Sequence, residues 1–192
     1  MTSLAAASAP PLPASALPRL SLVLGGARSG KSRYAEELVR QAAPAAAYIA
    51  TAQALDAEMG ERIRRHRQRR TAAGIAWETV EAPLDLAASL AETVRPGRPV
   101  LVDCLTLWLS NLMLAGRDVE AESAALLACL PALRGPAVLV ANEVGLGIVP
   151  ENALARAFRD HAGALNQKIA AAADRVVFIA AGLPLVLKEA DT

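Results

Sequence analysis

The sequence predicts an α/β fold with a mostly parallel sheet and one antiparallel strand at its C-terminal edge. Three observations predict it. From Leu20 onward, short apolar runs alternate with longer amphipathic stretches. The runs are continuous Val, Leu, Ile and Ala, as strands covered on both faces are. Only Gly182-Leu183 separates the last two runs, too short a link for a parallel crossover, so the final strand pairs antiparallel.

The elements follow in order. LSLVLG (20–25) reads as a buried strand and KSRYAEELVRQA (31–42) as the helix after it. AAYIAT (46–51) is the second strand, followed by a charged helix over about 55–70. WETVE (77–81) is a short strand, and PLDLAASLAETV a helix. PVLVDC (99–104) is a strand, with helical segments through Leu133. AVLVAN (137–142) is a strand and 151–173 a long helix. RVVFIAA (175–181) and PLVLK (184–188) close the chain. Strands alternating with helices imply right-handed crossovers.

With 192 residues the chain suits one domain, expected over 19–192. Apolar residues make up 54% and aromatics only 3%, so Ala, Leu and Val must build the core. Residues 1–18 are Ala/Pro/Ser-rich, lack an early basic residue and carry Pro10, Pro11 and Pro13. They read as a disordered extension rather than a signal peptide. No apolar run approaches the roughly 20 residues needed to span a bilayer, so no membrane insertion is expected. A net charge of +1 argues against general attraction to nucleic acid or anionic lipid. Cys104 and Cys129 have no metal-ligand spacing and read as buried thiols in a reducing compartment, which points to the cytoplasm.

Gly25, Gly26, Ala27, Arg28, Ser29, Gly30, Lys31 and Ser32 fit G-x-x-x-x-G-K-[ST], directly after a strand and before a helix. Such a loop turns its backbone N–H groups toward phosphate oxygens, and the helix start adds a favourable dipole. Lys31 reaches the β/γ-phosphates, and the Ser32 hydroxyl is a ligand for Mg²⁺. Asp103, at the end of another strand, is the matching carboxylate. A chance Gly-rich turn does not account for the two correct flanks. The loop alone leaves a small-molecule kinase, a motor or recombinase-type ATPase and a GTPase open. No Asn-Lys-x-Asp guanine reader is present, and motor ATPases usually come in longer chains.

EMGERIRRHRQRR (58–70) sets His66 among Arg62, Arg64, Arg65, Arg67, Arg69 and Arg70. Residues three and four apart share a helix face, so Arg62, His66 and Arg69 or Arg70 can meet one ligand. Guanidinium forks suit a polyphosphate, although a solvated basic face or a nucleic-acid patch has the same composition. Positive neighbours favour the neutral, attacking imidazole. With an ordinary pKa of about 6.5, roughly three quarters is already neutral at pH 7, so this gains a factor of only about 1.3. The larger contribution of the arginines is to hold phosphate and stabilise transition-state charge. His161 shares a helix face with Leu154, Phe158, Leu165 and Ile169 and reads as a packed core histidine.

Three blocks make the chain resemble a known family: LVLGGARSGKSRYAEEL, YIATAQALDAEMGERIRRHRQRR and VLVANEVGLGIVPENALARAFRDHAGALNQKIAAAAD. It is similar, from about Leu20 to Lys188, to the bifunctional adenosylcobinamide kinase/adenosylcobinamide-phosphate guanylyltransferases of cobalamin biosynthesis. The P-loop is widespread, whereas the second and third blocks are specific. The resemblance implies a three-layer P-loop NTPase fold of the RecA-like kind and two reactions. ATP or GTP first phosphorylates the aminopropanol hydroxyl of adenosylcobinamide. GTP then guanylylates a histidine with release of pyrophosphate, and adenosylcobinamide phosphate takes the GMP to give adenosylcobinamide-GDP. The family's nucleophile falls on His66. Its nucleotide contacts fall on Gly25 to Ser32, on Ala50, Thr51 and Ala52, on Arg67, Gln68, Arg69 and Arg70, on Glu81 and on Asp103. A homotrimer is implied, and no nucleic-acid partner. Some members carry two adjacent histidines where this chain has Arg65-His66. Some have Glu in place of Asp103, leaving Mg²⁺ or a ribose hydroxyl as its partner. Asn142 and Glu143 lie at a strand's C-terminal end, where open α/β sheets bind ligands. The 143–152 loop, Arg156 and Arg159 are expected on the cobinamide side, at a subunit interface, or in an ordinary helix-capping turn.

Overall fold

A computed structural model describes residues 17–54, 57–72 and 74–189, without the side chains of Glu58, Arg62 and Ala72. The expected 1–18 extension falls almost wholly outside these residues. Of its end, Leu17 packs against the core.

Seven strands form one sheet in the order β3-β2-β4-β5-β1-β6-β7. They are β1 (Leu20–Gly25), β2 (Ala45–Ala50), β3 (Ala76–Glu81), β4 (Val100–Asp103), β5 (Ala137–Asn142), β6 (Arg175–Ala180) and β7 (Leu183–Glu189). Every pairing is parallel except β6 with β7, as expected. The helices are α1 (Lys31–Ala42), α2 (Ala57–Ala72), α3 (Leu86–Thr93), α4 (Leu105–Leu114), α5 (Val119–Cys129) and α6 (Ala153–Ala172). Among the described residues, no helix is long and apolar enough to cross a membrane.

The central strand β1 is buried along its whole length, which its unbroken apolar run requires. Leu20, Leu22 and Leu24 join a core cluster with α3, α4, α5 and α6. Val23 faces the other way, into a cluster with Ala35, Leu38 and Val39 of α1. Period-two alternation therefore feeds two apolar layers, one on each side of the sheet. Trp108 is fully buried in the larger layer and donates from Nε1 to the carbonyl of Leu84 at 2.6 Å.

Two expectations are corrected. The turn between β6 and β7 is Ala181-Gly182, not Gly182-Leu183. Both residues have positive φ, 50° and 82°, the paired left-handed geometry that suits a two-residue hairpin. His161 is half-buried rather than packed in the core. Its Nδ1 faces Glu120 Oε1 at 3.3 Å, and Leu154 on the same face is 58% exposed. The apolar spacing continues past the covered part of α6, so it overstated what the face buries.

Register carries the fold into the site. Gly25 pairs with Asn142, Ala50 with Asp103, and Ala50 with Glu81. The carboxyl ends of β1, β2, β3, β4 and β5 thus form one edge, where open parallel sheets place ligands.

Removing the Trp108 indole leaves a cavity and an unpaired Leu84 carbonyl. Trp108→Ala should lose about 3–5 kcal/mol of stability in urea unfolding. A loss below about 1 kcal/mol would show that this layer is not the main support of the sheet.

Candidate active site

The loop between β1 and α1 depends on Gly25. A Cβ there would stand 2.6 Å from both the Ile179 carbonyl oxygen and Ser29 Oγ, so no larger residue fits. Arg28 (φ 57°) and Gly30 (φ 97°) are left-handed and curl the chain into the start of α1. Lys31 is buried and donates from Nζ to the Gly26 carbonyl at 3.1 Å, lying along the loop. Two neighbours fasten the loop. Gly182 N–H donates to the Ser29 carbonyl at 2.9 Å, and Glu143 N–H to the Gly25 carbonyl at 3.1 Å. The β6–β7 turn is therefore part of the phosphate loop's support, a role that a sequence separation of about 150 residues concealed.

Above the loop opens a cleft of about 820 Å³. Its lining includes Ala27 to Arg33, then Arg65, His66 and Arg69 of α2, and the Ala181-Gly182 turn. A second cavity of about 590 Å³ lies inward, over the carboxyl edge of the sheet. Ala50, Ala52, Arg67, Arg70, Glu81, Asp103 and Asn142 line it. Lys31, Ser32 and His66 line both. The half-buried His66 thus stands at the junction of the cleft and the inner cavity.

The arginines of α2 do not share one grip. Arg69 forms a two-pronged pair with Glu36 of α1, both contacts at 2.9 Å. Arg67 pairs with Glu81 at 2.7 Å. Arg70 is buried, with its guanidinium carbon 3.5 Å from the centre of the Tyr48 ring. Arg64 pairs with Glu61, one turn before it on α2. Helical spacing put these groups on one element, but their length lets each reach a different neighbour. Arg62, expected beside His66, lies outside the described side chains.

Not every expected contact faces a cavity. Thr51 is fully buried and its hydroxyl ties down Cys104, donating to the carbonyl at 2.7 Å and accepting from the N–H at 2.8 Å. Asn111 Nδ2 holds the Thr51 and Pro83 carbonyls at 2.8 and 3.0 Å. Thr51 is therefore a brace for the strand ends. Gln68 is exposed and borders neither the cleft nor the inner cavity. Gly25 lies beneath the loop, where its lack of a side chain matters more than contact.

Tyr48, which the sequence reading passed over, organises the inner cavity. Its hydroxyl donates to Asp103 Oδ2 at 3.3 Å and its ring carries Arg70. Burial, with the charge of Asp103 adding to it, raises its pKa well above the ordinary value, so it stays a neutral donor. Cys104 is likewise pushed up to about 11, chiefly by burial and then by Asp103. It remains a thiol at neutral pH. Two buried polar atoms on this cavity, Arg70 Nη1 and Asn142 Oδ1, have no hydrogen-bond partner among the described residues. An unpaired buried donor and acceptor on one cavity leave it with hydrogen-bonding capacity that a polar ligand can use.

The 143–152 loop and the start of α6 carry turn and cap hydrogen bonds. Asn152 caps α6, accepting from Leu154 and Ala155 N–H at 2.7 and 3.2 Å. Arg156 Nη1 donates to the Pro150 carbonyl at 2.9 Å, and Arg159 pairs with Asp160. Glu143 Oε1 accepts from Gly145 N–H at 2.7 Å. The tip of the loop leaves Leu146, Ile148 and Val149 exposed.

Residues 21–187 match the family model described as cobinamide kinase / cobinamide phosphate guanyltransferase. The chain is 54% identical over 169 residues to the bifunctional adenosylcobalamin biosynthesis protein CobP of Pseudomonas aeruginosa, covering 87% of this chain and 96% of that protein. It is 42% identical over 182 residues to CobU, a protein of the same description, from Salmonella typhimurium, covering 87% and 98%. In fold it is similar to the flagellar accessory protein FlaH of Methanocaldococcus jannaschii, with a TM-score of 0.51 at 14% identity over 91% of this chain and 80% of that one. The P-loop under a cleft, the histidine at its inner end and the near full-length match lead to one assignment: the chain belongs to the cobinamide kinase / cobinamide phosphate guanyltransferase family.

Proposed function

We propose that both reactions run in this one cleft and that His66 carries the guanylyl group between them. ATP or GTP phosphorylates the hydroxyl of adenosylcobinamide. His66 then attacks the α-phosphorus of GTP, pyrophosphate leaves, and adenosylcobinamide phosphate takes the GMP to give adenosylcobinamide-GDP. The observation that supports this is the place of His66, lining the phosphate cleft and the inner cavity together.

A nucleotide spanning the two spaces puts its triphosphate over Lys31 and Ser32 and its nucleoside inward. The inner cavity offers what a guanosine needs: the unpaired Arg70 N–H, the unpaired Asn142 oxygen, and the carboxylates of Glu81 and Asp103. Purine O6 and N7 accept from guanidinium N–H groups, and carboxylates accept from amino and hydroxyl groups. The α-phosphorus then lies at the junction beside His66. Arg69 and Arg67 exchange carboxylate for phosphate as the nucleotide enters, since guanidinium forks fit both.

Ser32 and Asp103 fit a Mg²⁺ ion. Both line the inner cavity beside Lys31, both offer hard oxygen, and Tyr48 takes only Oδ2 of Asp103. When bound with the nucleotide, the ion supplies neutralisation of phosphate charge. The chain's own residues do the rest. Lys31 and the loop hold the phosphates, Tyr48 orients Asp103, and His66 supplies the electron pair.

We also infer a homotrimer working in the cytoplasm. Exposed Leu146, Ile148 and Val149, and exposed Leu183, Leu185 and Leu187 on the edge strand β7, are surfaces that other copies can bury. Cys104 and Cys129 are free thiols, as a reducing compartment keeps them.

GTP labelled at the α-phosphate should leave acid-labile, base-stable label on His66. His66→Ala should abolish the label and retain kinase activity, whereas Lys31→Ala should depress both. Full guanylyl transfer by His66→Ala would sink the assignment. Light scattering should return about 60 kDa, three times the 20.0 kDa chain. A mass of about 20 kDa would rule the trimer out.

A further inference from the structure

We propose that the outer wall of the phosphate cleft is the acceptor-phosphate subsite, and that Arg33, with Arg65 lining the same cleft, holds the phosphate of cobinamide phosphate there. This rests on the two-step transfer through His66 and adds to it the place from which the second nucleophile comes.

The cleft carries more positive charge than a triphosphate alone needs. The cleft is lined by Arg28, Lys31, Arg33, Arg65, His66 and Arg69, and by no carboxylate among its described lining residues. A triphosphate is already served by the loop N–H groups, Lys31 and the start of α1. Arg33 is left over. It is exposed, and among the described residues it makes no hydrogen bond or ion pair. The contrast with its neighbours is direct, since Arg64, Arg67 and Arg69 are each held by a glutamate. Arg65 reaches Glu61 only at 3.5 Å and is 69% exposed.

Position is the second argument. Arg33 Nη2 lies 3.9 Å and 3.6 Å from where a Cβ would stand on Gly30 and Gly182. Its guanidinium therefore rests over two glycines, on the wall shared by the phosphate loop and the β6–β7 turn. Nothing larger than hydrogen projects from either glycine between this guanidinium and the loop.

Third is the direction of attack. Phosphoryl and nucleotidyl displacements run in line, the entering group opposite the leaving group. His66 enters at the α-phosphorus opposite pyrophosphate. In the second step the leaving group is His66 itself. The acceptor oxygen must then enter from the side that pyrophosphate vacated, which is the cleft. There a phosphate oxygen forms the new P–O bond. The N–P bond breaks, and its electron pair returns to the ring as neutral imidazole. The proton on the other ring nitrogen stays in place, so atoms and charge balance with no further reactant. In the kinase step, too, the acceptor hydroxyl meets the γ-phosphorus from the open side of this cleft. One docking direction for the corrinoid thus serves both reactions.

The test separates the two half-reactions. Arg33→Ala, at an exposed side chain with no hydrogen bond or ion pair among the described residues, is expected to fold and to take label from α-labelled GTP at a rate within about twofold of wild type. Transfer from the isolated, labelled enzyme to cobinamide phosphate should fall on the order of 10- to 100-fold in kcat/KM, carried mainly by KM. Arg33→Lys should restore part of the loss, because a point charge replaces the fork. Labelling and transfer falling together would make Arg33 a triphosphate ligand and overturn the proposal, as would unchanged transfer. A wild-type chain that takes no label would remove the two-step reading and this proposal with it.

Discussion

Everything at this site depends on how α2 is fastened. The helix carries His66, yet its burial is slight. Arg70 is its one buried residue among the described side chains, and Ile63 and Met59 are only half-covered. Three arginine contacts tie α2 to its surroundings: Arg69 on Glu36 of α1, Arg67 on Glu81 of β3, and Arg70 on the face of Tyr48 in β2. Contacts of these kinds contribute about 0.5–3 kcal/mol each. They suffice to set the histidine at the mouth of the inner cavity, and they are weak enough for a polyphosphate to compete for the same guanidinium. The apolar core fixes the sheet, and these arginine contacts help fix α2, with His66 on it, relative to the sheet.

The sheet supplies the other half of the geometry. Parallel register brings Gly25, Asn142, Asp103, Ala50 and Glu81 to one edge although they span more than a hundred residues of sequence. Their backbones are held by neighbours that touch no cavity, such as Thr51 binding both polar groups of Cys104 and Asn111 binding two loop carbonyls. The edge is braced by the sheet and its hydrogen bonds, and the helix above it is lightly pinned. That division suits an enzyme that must hold one nucleotide while presenting two different phosphorus atoms.

Local features were legible in the sequence wherever one residue run determines them. β1, α1 and β5 fall on the expected residues because an unbroken apolar run or a strand–glycine–lysine junction leaves little choice. The strand–loop–helix form of the phosphate loop was legible for the same reason. What sequence could not show is which partner a long side chain selects. Helical spacing set Arg69 and Arg70 with His66 toward one ligand, but Glu36, Glu81 and Tyr48 lie on three other elements and divide the arginines of α2 among them. Tyr48 was hidden as one polar tip in an apolar strand. The Ala181-Gly182 turn looked like a simple reversal, and its hydrogen bond to Ser29 exists only once β6 lies beside β1. His161 erred the other way, since apolar spacing does not say where coverage ends.

The central claim is that His66 lies between the two transfers, with its partners on opposite sides. Stereochemistry at the α-phosphorus tests this most directly. The measurement uses GTP carrying a sulfur of known configuration at that phosphorus and reads the configuration in the corrinoid-GDP product. Two in-line displacements, into and out of His66, invert twice and should give net retention. Net inversion would mean a single direct attack by the acceptor and would contradict the covalent role of His66.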